Sequence, residues 1–361
     1  MGEILLMKGN EALAEAIIRA GADAYFGYPI TPQSEVVEYL AAAKPEERTG
    51  MVLLQAESEL ASINMLYGAA GTGKKVITSS SSPGISLMLE GISYIAGAEL
   101  PCVIVNVQRG GPGLGTIQPA QADYFQAVKG GGHGDYRLLV LAPNSVQEMA
   151  DFVPLAFDLA FKYRNPVMIL SDGLIGQMME KVELFDPIPR WTDEYIREHF
   201  GDWATIGKTP DRERNIITSL DLVPERMEKH NLHLKEKYER MKREDVRWEE
   251  IETEDAEYLF VAFGSSSRIA MKAVKLAREE GIKVGLLRPI TLFPFPEKRL
   301  FELKDQVKGI LTVELNLGQM IEDVKLAVQC RVPVEHFGRY GGVIPTPEEV
   351  VEALKEKIIN R

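Results

Sequence analysis

"LYGAAGTGKKVITSSSSPG", residues 66–84, decides how the chain is read. Within it, G-A-A-G-T-G-K-K falls one residue short of a phosphate-cradling loop. Such a loop needs a strand before it, a helix after it and a Ser or Thr behind the Lys to hold magnesium. Position 75 is Lys, and the preceding run, residues 58–71, carries Leu60, Ile63, Met65, Leu66 and Ala70 at helical spacing, with Gly71 or Gly73 as a stop. "KKVITSS" then reads as a short buried strand. The order helix, turn, strand makes this stretch part of a parallel α/β sheet, and any phosphate site must lie elsewhere.

The same rhythm extends outward. Asn10 can cap a helix carrying Leu13, Ile17 and Ile18, and Gly21 can end it. Six strand candidates follow at "AYFGYP", "MVLLQ", "KVITSS", "CVIVNVQ", "RLLVLA" and "PVMIL", predicting one α/β domain over 1–184. The stretch 185–252 breaks the pattern: it is rich in charge and holds all three tryptophans, Trp191, Trp203 and Trp248. Its end predicts a long helix with Met227, Leu234, Tyr238 and Met241 on one stripe. That helix is either a connector packed on its own body or a surface for a partner. From 253 to 361, "EYLFVAFGSSS", "KVGLLRP", "GILTVE" and "VPVEHFG" restart an α/β pattern, a second and smaller domain.

Composition narrows the function. A chain of 361 residues with 45% hydrophobic content builds sizeable cores, and its net charge of −12 argues against nucleic acid as a partner. No apolar run is long enough to span a bilayer. The opening "MGEILLMKGNEALAE" has acids where a secretion signal needs a cationic start, and Leu6 stands where a myristoylation signal needs Ser or Thr. A cytoplasmic location is therefore expected. Cys102 and Cys330 are too few for a disulfide framework or for an iron-sulfur cluster held by this chain alone.

In open parallel sheets, ligands bind beyond the carboxyl ends of the strands. The first strand leads to "YPITPQSE", where Pro29 and Pro32 stiffen a turn presenting Thr31; the plainer reading makes Thr31 a cap and Pro32 the first helical residue. The second leads to "QAESELAS", with Glu57 and Glu59 at a helix mouth, where acids complement the helix dipole. The third leads to the hydroxyl-rich "SSSSPG", whose serines lack a base nearby in sequence and make poor nucleophiles. The fourth leads to Arg109 and a glycine loop, a natural carboxylate clamp. Together these supply a hydroxyl, an acid, a small polar loop and a guanidinium to one sheet edge.

At these residues, "GYPITP", "ESELASIN", "TSSSSPG", "NVQRGGPGLGTIQPAQADYFQAVKGGGHGDYR" and the later "LLRPITLFPFP" resemble the alpha subunit of 2-oxoacid:ferredoxin oxidoreductases, over nearly the whole chain. The glycine-loop segment is most similar to the branched-chain, 2-oxoisovalerate type. The resemblance implies a thiamine diphosphate pyrimidine-binding domain followed by a transketolase-C-terminal-like domain. It implies half of a thiamine diphosphate site, with the diphosphate and Mg2+ on a beta subunit. The chain agrees in lacking Gly-Asp-Gly followed by Asn at the spacing of that half-site. Carried over residue by residue, Glu59 matches the acid that hydrogen-bonds the pyrimidine, and Pro29 and Ile30 match the turn beside it. The "SSSSPG" loop, with Ser81 and Ser82, faces the reacting end of the cofactor. Thr31 and Arg109 match positions contacting the 2-oxoacid, Arg109 at its carboxylate.

The activity implied is oxidative decarboxylation to acyl-CoA and carbon dioxide, with electrons passing through [4Fe-4S] clusters on gamma and ferredoxin-like subunits to ferredoxin, and coenzyme A as co-substrate. No metal ligand is expected in this chain. His133, in "GGGHGD", suits a proton shuttle by its ordinary pKa but reads more simply as a structural loop residue. A 2-oxoglutarate enzyme should want a second cation for the distal carboxylate. Residues 110–123 offer none, and offer Leu114 and Ile117, with Tyr124 and Phe125 nearby, so an apolar side chain is expected. Three other readings stand beside this one: a 2-oxoglutarate enzyme, the pyrimidine-domain subunit of a lipoamide-linked dehydrogenase, and a noncatalytic scaffold for electron-transfer proteins. "VELNLGQM" and "FGRYGG" in the second domain are turn-rich strand ends that are either structural or face a partner.

Overall fold

The computed structural model describes residues 3–208, 210 and 212–360. In chain order its strands are β1 (Glu3–Lys8), β2 (Ala24–Gly27), β3 (Val52–Gln55), β4 (Val76–Ser80), β5 (Cys102–Gln108), β6 (Leu139–Leu141), β7 (Pro166–Asp172), β8 (Met179–Leu184), β9 (Trp248–Ile251), β10 (Tyr258–Ala262), β11 (Val284–Pro289), β12 (Thr291–Phe293), β13 (Gly309–Glu314) and β14 (Val334–Gly338). The six strands expected in the first part are β2 to β7. They form a parallel sheet in the order β6, β7, β5, β4, β2, β3, and β12 adds to the β6 edge, antiparallel. Strands β4, β5 and β7 are buried along their whole length, because helices cover both faces. Strands β1 and β8 pair as a separate antiparallel ribbon.

The second sheet runs β14, β13, β10, β11, β9, parallel except for β9. Two strands cross the divisions drawn from sequence. Strand β9 lies within 185–252 yet pairs with β11, and β12 lies within 253–361 yet pairs with β6. Only Ile290 separates β11 from β12, so the chain passes from one sheet to the other in a single residue.

The long helix is Pro224–Glu244, and it packs on the body of its own chain. Leu234, Tyr238 and Met241 are buried as the stripe predicts, with Lys237 beside them, while Met227 is only partly covered. His230 contacts the Gly97 carbonyl at 2.8 Å, and Lys237 pairs with Glu99 at 3.0 Å. Trp191 and Trp203 join Phe161 and Phe200 in an aromatic cluster. Lys75, which a phosphate loop would have needed free, is buried under Trp191, its Nζ 4.4 Å from the ring centre and donating to the Ala20 carbonyl. Lys74 pairs with Asp193.

Both turn-rich segments, residues 313–320 and 337–342, pack against the segment that follows β5. Gln121, fully buried, donates its N–H to the Leu315 carbonyl and its side chain to the Phe263 carbonyl, while its Oε1 and carbonyl accept from Leu315 and Asn316. Tyr124 donates to Asp323 at 2.7 Å, and Gln319 accepts from the Phe125 N–H and donates to the Ala122 carbonyl. Gly341 and Gly342 lie against Gly110 and Gln118. No helix among the described residues is long and apolar enough to cross a membrane.

Candidate active site

From β2 the chain runs out to β3 on one side and returns to β4 on the other, so the direction of winding reverses around β2. The carboxyl ends of strands at such a reversal leave a crevice. Here it is widened, because β2 and β4 are paired only at Ala24 with Val76 and Tyr25 with Ile77. Beyond that point Tyr25 Oη and Ser79 Oγ meet at 2.6 Å, and Ser79 donates to Gln33 at 2.6 Å. This buried chain of hydroxyls and amide ties the turn after β2 to β4.

Two helices begin at the crevice. Helix Glu59–Ala70 starts with Ser58 as its cap, the Ser58 hydroxyl accepting from the Ala61 N–H. Its buried face is Glu59, Ser62, Ile63, Leu66 and Ala70, at helical spacing, whereas Leu60 and Met65 face outward. The phase therefore separates the two glutamates: Glu57 is exposed and Glu59 is 6% exposed. Helix Ser82–Gly97 follows β4, and its third residue, Gly84, lies under the Glu59 carboxylate. A Cβ at Gly84 would stand 2.6 Å from Glu59 Oε1 and 2.1 Å from Ser80 Oγ, so this floor has no room for a side chain. Ser80 and Ser81 are fully buried, and neither hydroxyl has a hydrogen-bond partner. Ser81 is the cap residue of the helix but does not use its side chain for capping.

Ser82 differs from its neighbours in being fully engaged. Its hydroxyl donates to Asp123 at 2.5 Å and accepts from the Arg109 N–H at 3.1 Å. Asp123 also accepts from Asn106 at 2.9 Å; burial pushes its carboxyl above the usual range, and the Ser82 and Asn106 hydrogen bonds pull it back. The Arg109 fork donates to the Thr31 carbonyl and the Leu114 carbonyl, each at 2.9 Å, while its Nε is buried and unpaired. Arg109 also bridges to Pro119, closing the glycine loop; inside it Gly115 has φ +57 and no room for a Cβ against the Gly110 carbonyl. Leu114 and Ile117 on this loop are 80% and 55% exposed.

Thr31 is no helix cap. The helix after β2 begins at Ser34 with Gln33 before it, and Thr31 stands exposed in the turn. Pro29 is exposed and Ile30 half-buried in the same turn, whose Pro32 carbonyl is held by Asn10 and Gln177. Tyr124, expected near the substrate, is instead fully buried on Asp323, and Lys129 pairs with the same carboxylate. His133 is an exposed loop residue, its carbonyl accepting from Ser93. Gln33, Ser79, Asn106 and Asp123 were not singled out from sequence, because their partners lie on other strands; only the repeated serines of "TSSSSPG" signalled a polar strand end.

Residues 15–250 match the family model described as "Pyruvate flavodoxin/ferredoxin oxidoreductase, thiamine diP-bdg", and residues 256–350 the one described as "Pyruvate:ferredoxin oxidoreductase core domain II". The chain belongs to the 2-oxoacid:ferredoxin oxidoreductase family. It is 50% identical over 353 residues to ketoisovalerate oxidoreductase subunit VorB of Methanothermobacter thermautotrophicus, with 97% of each chain covered. It is 38% identical to 2-oxoglutarate synthase subunit KorA of Methanocaldococcus jannaschii, over 98% of this chain and 99% of that one. The solved 2-oxoglutarate:ferredoxin oxidoreductase from Magnetococcus marinus, with 2-oxoglutarate, coenzyme A and succinyl-CoA bound, matches with a TM-score of 0.83 at 28% identity. That match covers 99% of this chain and 65% of that chain. A split-gene transketolase, 16% identical with a TM-score of 0.60 over 98% of both chains, shares the fold. VorB and KorA are each named as a subunit of an oxidoreductase or synthase, and neither lends support to the lipoamide-linked or scaffold readings.

Proposed function

We propose that this chain holds the pyrimidine half of thiamine diphosphate in a complex that converts a 2-oxoacid to acyl-CoA and carbon dioxide while reducing ferredoxin. The substrate is 2-oxoisovalerate or another branched-chain 2-oxoacid. The observation that carries the reading is the Gly84 floor: a buried carboxylate and the unpaired hydroxyls of Ser80 and Ser81 around a surface that excludes a side chain. Buried polar groups without partners call for a ligand that supplies them, and a flat ring edged with nitrogen groups fits. Thiamine diphosphate, when bound, supplies the carbon nucleophile that breaks a bond next to a carbonyl.

Glu59 would hydrogen-bond a ring nitrogen, Ser81 and Ser82 would line the reacting end, and Pro29 and Ile30 would wall the ring. Arg109 takes the substrate carboxylate, with Thr31 beside it. The diphosphate and Mg2+ belong to a beta subunit, and [4Fe-4S] clusters to gamma and ferredoxin-like subunits. Supporting a completing partner, Leu60 and Leu87 on the two helices that begin at the crevice are 50% and 59% exposed, an apolar surface beside an incomplete site. Supporting an apolar substrate, Leu114 and Ile117 are the large side chains of the Arg109 loop, and the relatives at 50% identity are named for ketoisovalerate.

The test is coenzyme A-dependent viologen reduction by the anaerobically purified complex with pyruvate, 2-oxoisovalerate and 2-oxoglutarate. The fastest reduction is expected with 2-oxoisovalerate, lost in Glu59→Gln. A preference for 2-oxoglutarate refutes the substrate assignment, and no reduction by a complex containing thiamine diphosphate and iron refutes the function.

A further inference from the structure

We propose that Asp123 is a positioning residue: through Ser82 it holds the main chain of Arg109, and so sets where the Arg109 guanidinium meets the 2-oxoacid. This rests on the role proposed above for Arg109. Asp123 Oδ2 accepts from both Ser82 Oγ and Asn106 Nδ2, at 2.5 and 2.9 Å. A serine hydroxyl has one proton and two lone pairs. With its proton committed to the carboxylate, Ser82 presents a lone pair to the Arg109 N–H at 3.1 Å. The Asp123 N–H is in turn fixed by Gln108 Oε1 at 3.1 Å, so both ends of the glycine loop are tied to one another.

The alternative state is also visible. Ser82 Oγ lies 3.3 Å from the Arg109 carbonyl. Without a carboxylate at position 123 the hydroxyl turns to that carbonyl, and the restraint on the Arg109 N–H weakens. The side-chain partners of Asp123, Ser82 and Asn106, are both neutral hydrogen-bond donors. Neither Asp123 nor Ser82 needs to touch the substrate for this to matter, because the Arg109 fork itself reaches two segments, at Thr31 and Leu114.

The experiment is a double-mutant cycle in the assembled complex, read as KM for the 2-oxoacid against kcat. Asp123→Asn is expected to raise KM about tenfold with kcat within about threefold, the signature of lost binding rather than lost chemistry. Ser82→Ala should raise KM by a similar factor, and the double variant should be no worse than the poorer single. Multiplying effects, a fall in kcat at constant KM, or an unchanged KM in Ser82→Ala each overturn the proposal. If Asp123→Asn does not assemble, Ser82→Ala is read against Ser82→Thr, which keeps the hydroxyl that joins Asp123 to the Arg109 N–H: KM restored in Ser82→Thr upholds the positioning role, and KM raised equally in both overturns it. Glu59→Gln measured alongside separates the two readings. Full activity there refutes the active-site assignment, whereas lost activity with multiplying Asp123 and Ser82 effects refutes only the positioning role.

Discussion

Alanine at Gly84 tests the candidate site with one methyl group. Gly84 sits inside helix Ser82–Gly97 with no left-handed backbone, so alanine brings no backbone strain there and favours the helix by about 1 kcal/mol. The new Cβ meets Ser80 Oγ at 2.1 Å, Glu59 Oε1 at 2.6 Å and Glu59 Cγ at 2.9 Å. The serine hydroxyl can rotate away, but to restore an ordinary contact the carboxylate must retreat by about 0.8 Å. Overpacking of this kind costs about 1–3 kcal/mol, which the helix preference partly offsets. The complex should therefore fold, with a melting temperature lowered by no more than about 5 °C. Catalysis should suffer far more, since a displacement near 1 Å of a positioned group costs about a hundredfold. The assay is viologen reduction beside thermal melting. A folded Gly84→Ala complex working within about threefold of the wild-type rate would refute the assignment of Glu59 and the Gly84 floor to the active site.

Glu314, fully buried at the end of β13, accepts N–H groups of Gln319, Met320 and Ile321. Burial pushes its carboxyl up, but His336, the Met320 N–H and Asn316 outweigh it and hold the group below the ordinary glutamate range. A depressed folded value contributes stability above the ordinary pKa of about 4.3, lost as pH falls through the folded value. Glu314→Gln should thus lower stability by about 3 kcal/mol at pH 7, a gap that narrows below about pH 4; superimposable melting curves at pH 7 would sink this account. Burial raises the Cys102 thiol, whereas Cys330 is exposed, so a maleimide should label one cysteine in the native chain and two in denaturant. Two labels under native conditions would contradict the packing of β5. Gln121→Ala removes the side-chain bonds to Phe263 and Leu315, so amide exchange at Leu315 should accelerate while β4 and β5 stay protected; unchanged exchange would mean the domains dock by other contacts.

The first sheet was legible because its strands are covered on both faces, leaving apolar runs such as "CVIVNV" between turns. Strand β12 was not, being three residues whose partner, β6, lies some 150 positions earlier. At the site the helical phase held more than was drawn from it. Counting from Ile63 and Leu66, position 59 falls on the buried face and position 57 does not, whereas Leu60 and Met65 fall outside it despite being apolar. The turn at Thr31 reads as a cap and proves otherwise, because Gln33 is held by Ser79 and delays the helix to Ser34. The network of Ser82, Asn106 and Asp123 joins a helix start, a strand and a loop, and no local pattern encodes such a meeting.

The end of β4 shows why the site reads as a half-site. Thr78, Ser80 and Ser81 are fully buried, and each hydroxyl lacks a partner. An unpaired buried hydroxyl costs about 1–3 kcal/mol, so three of them approach the whole stability of an ordinary domain. Valine or isoleucine at Thr78 and Ser80 would leave no hydroxyl to satisfy in this buried parallel strand, as the neighbouring β5 illustrates with "VIV". The helix that follows declines the simplest remedy, since Ser81 stands at its cap yet makes no capping bond. Meanwhile Ser79 and Ser82, on either side, are each hydrogen-bonded by side chains of this chain. The fold thus satisfies Ser79 and Ser82 and leaves open Thr78, Ser81 and Ser80, the last of which meets Glu59 over Gly84, and this is the distribution expected where an outside molecule completes the set.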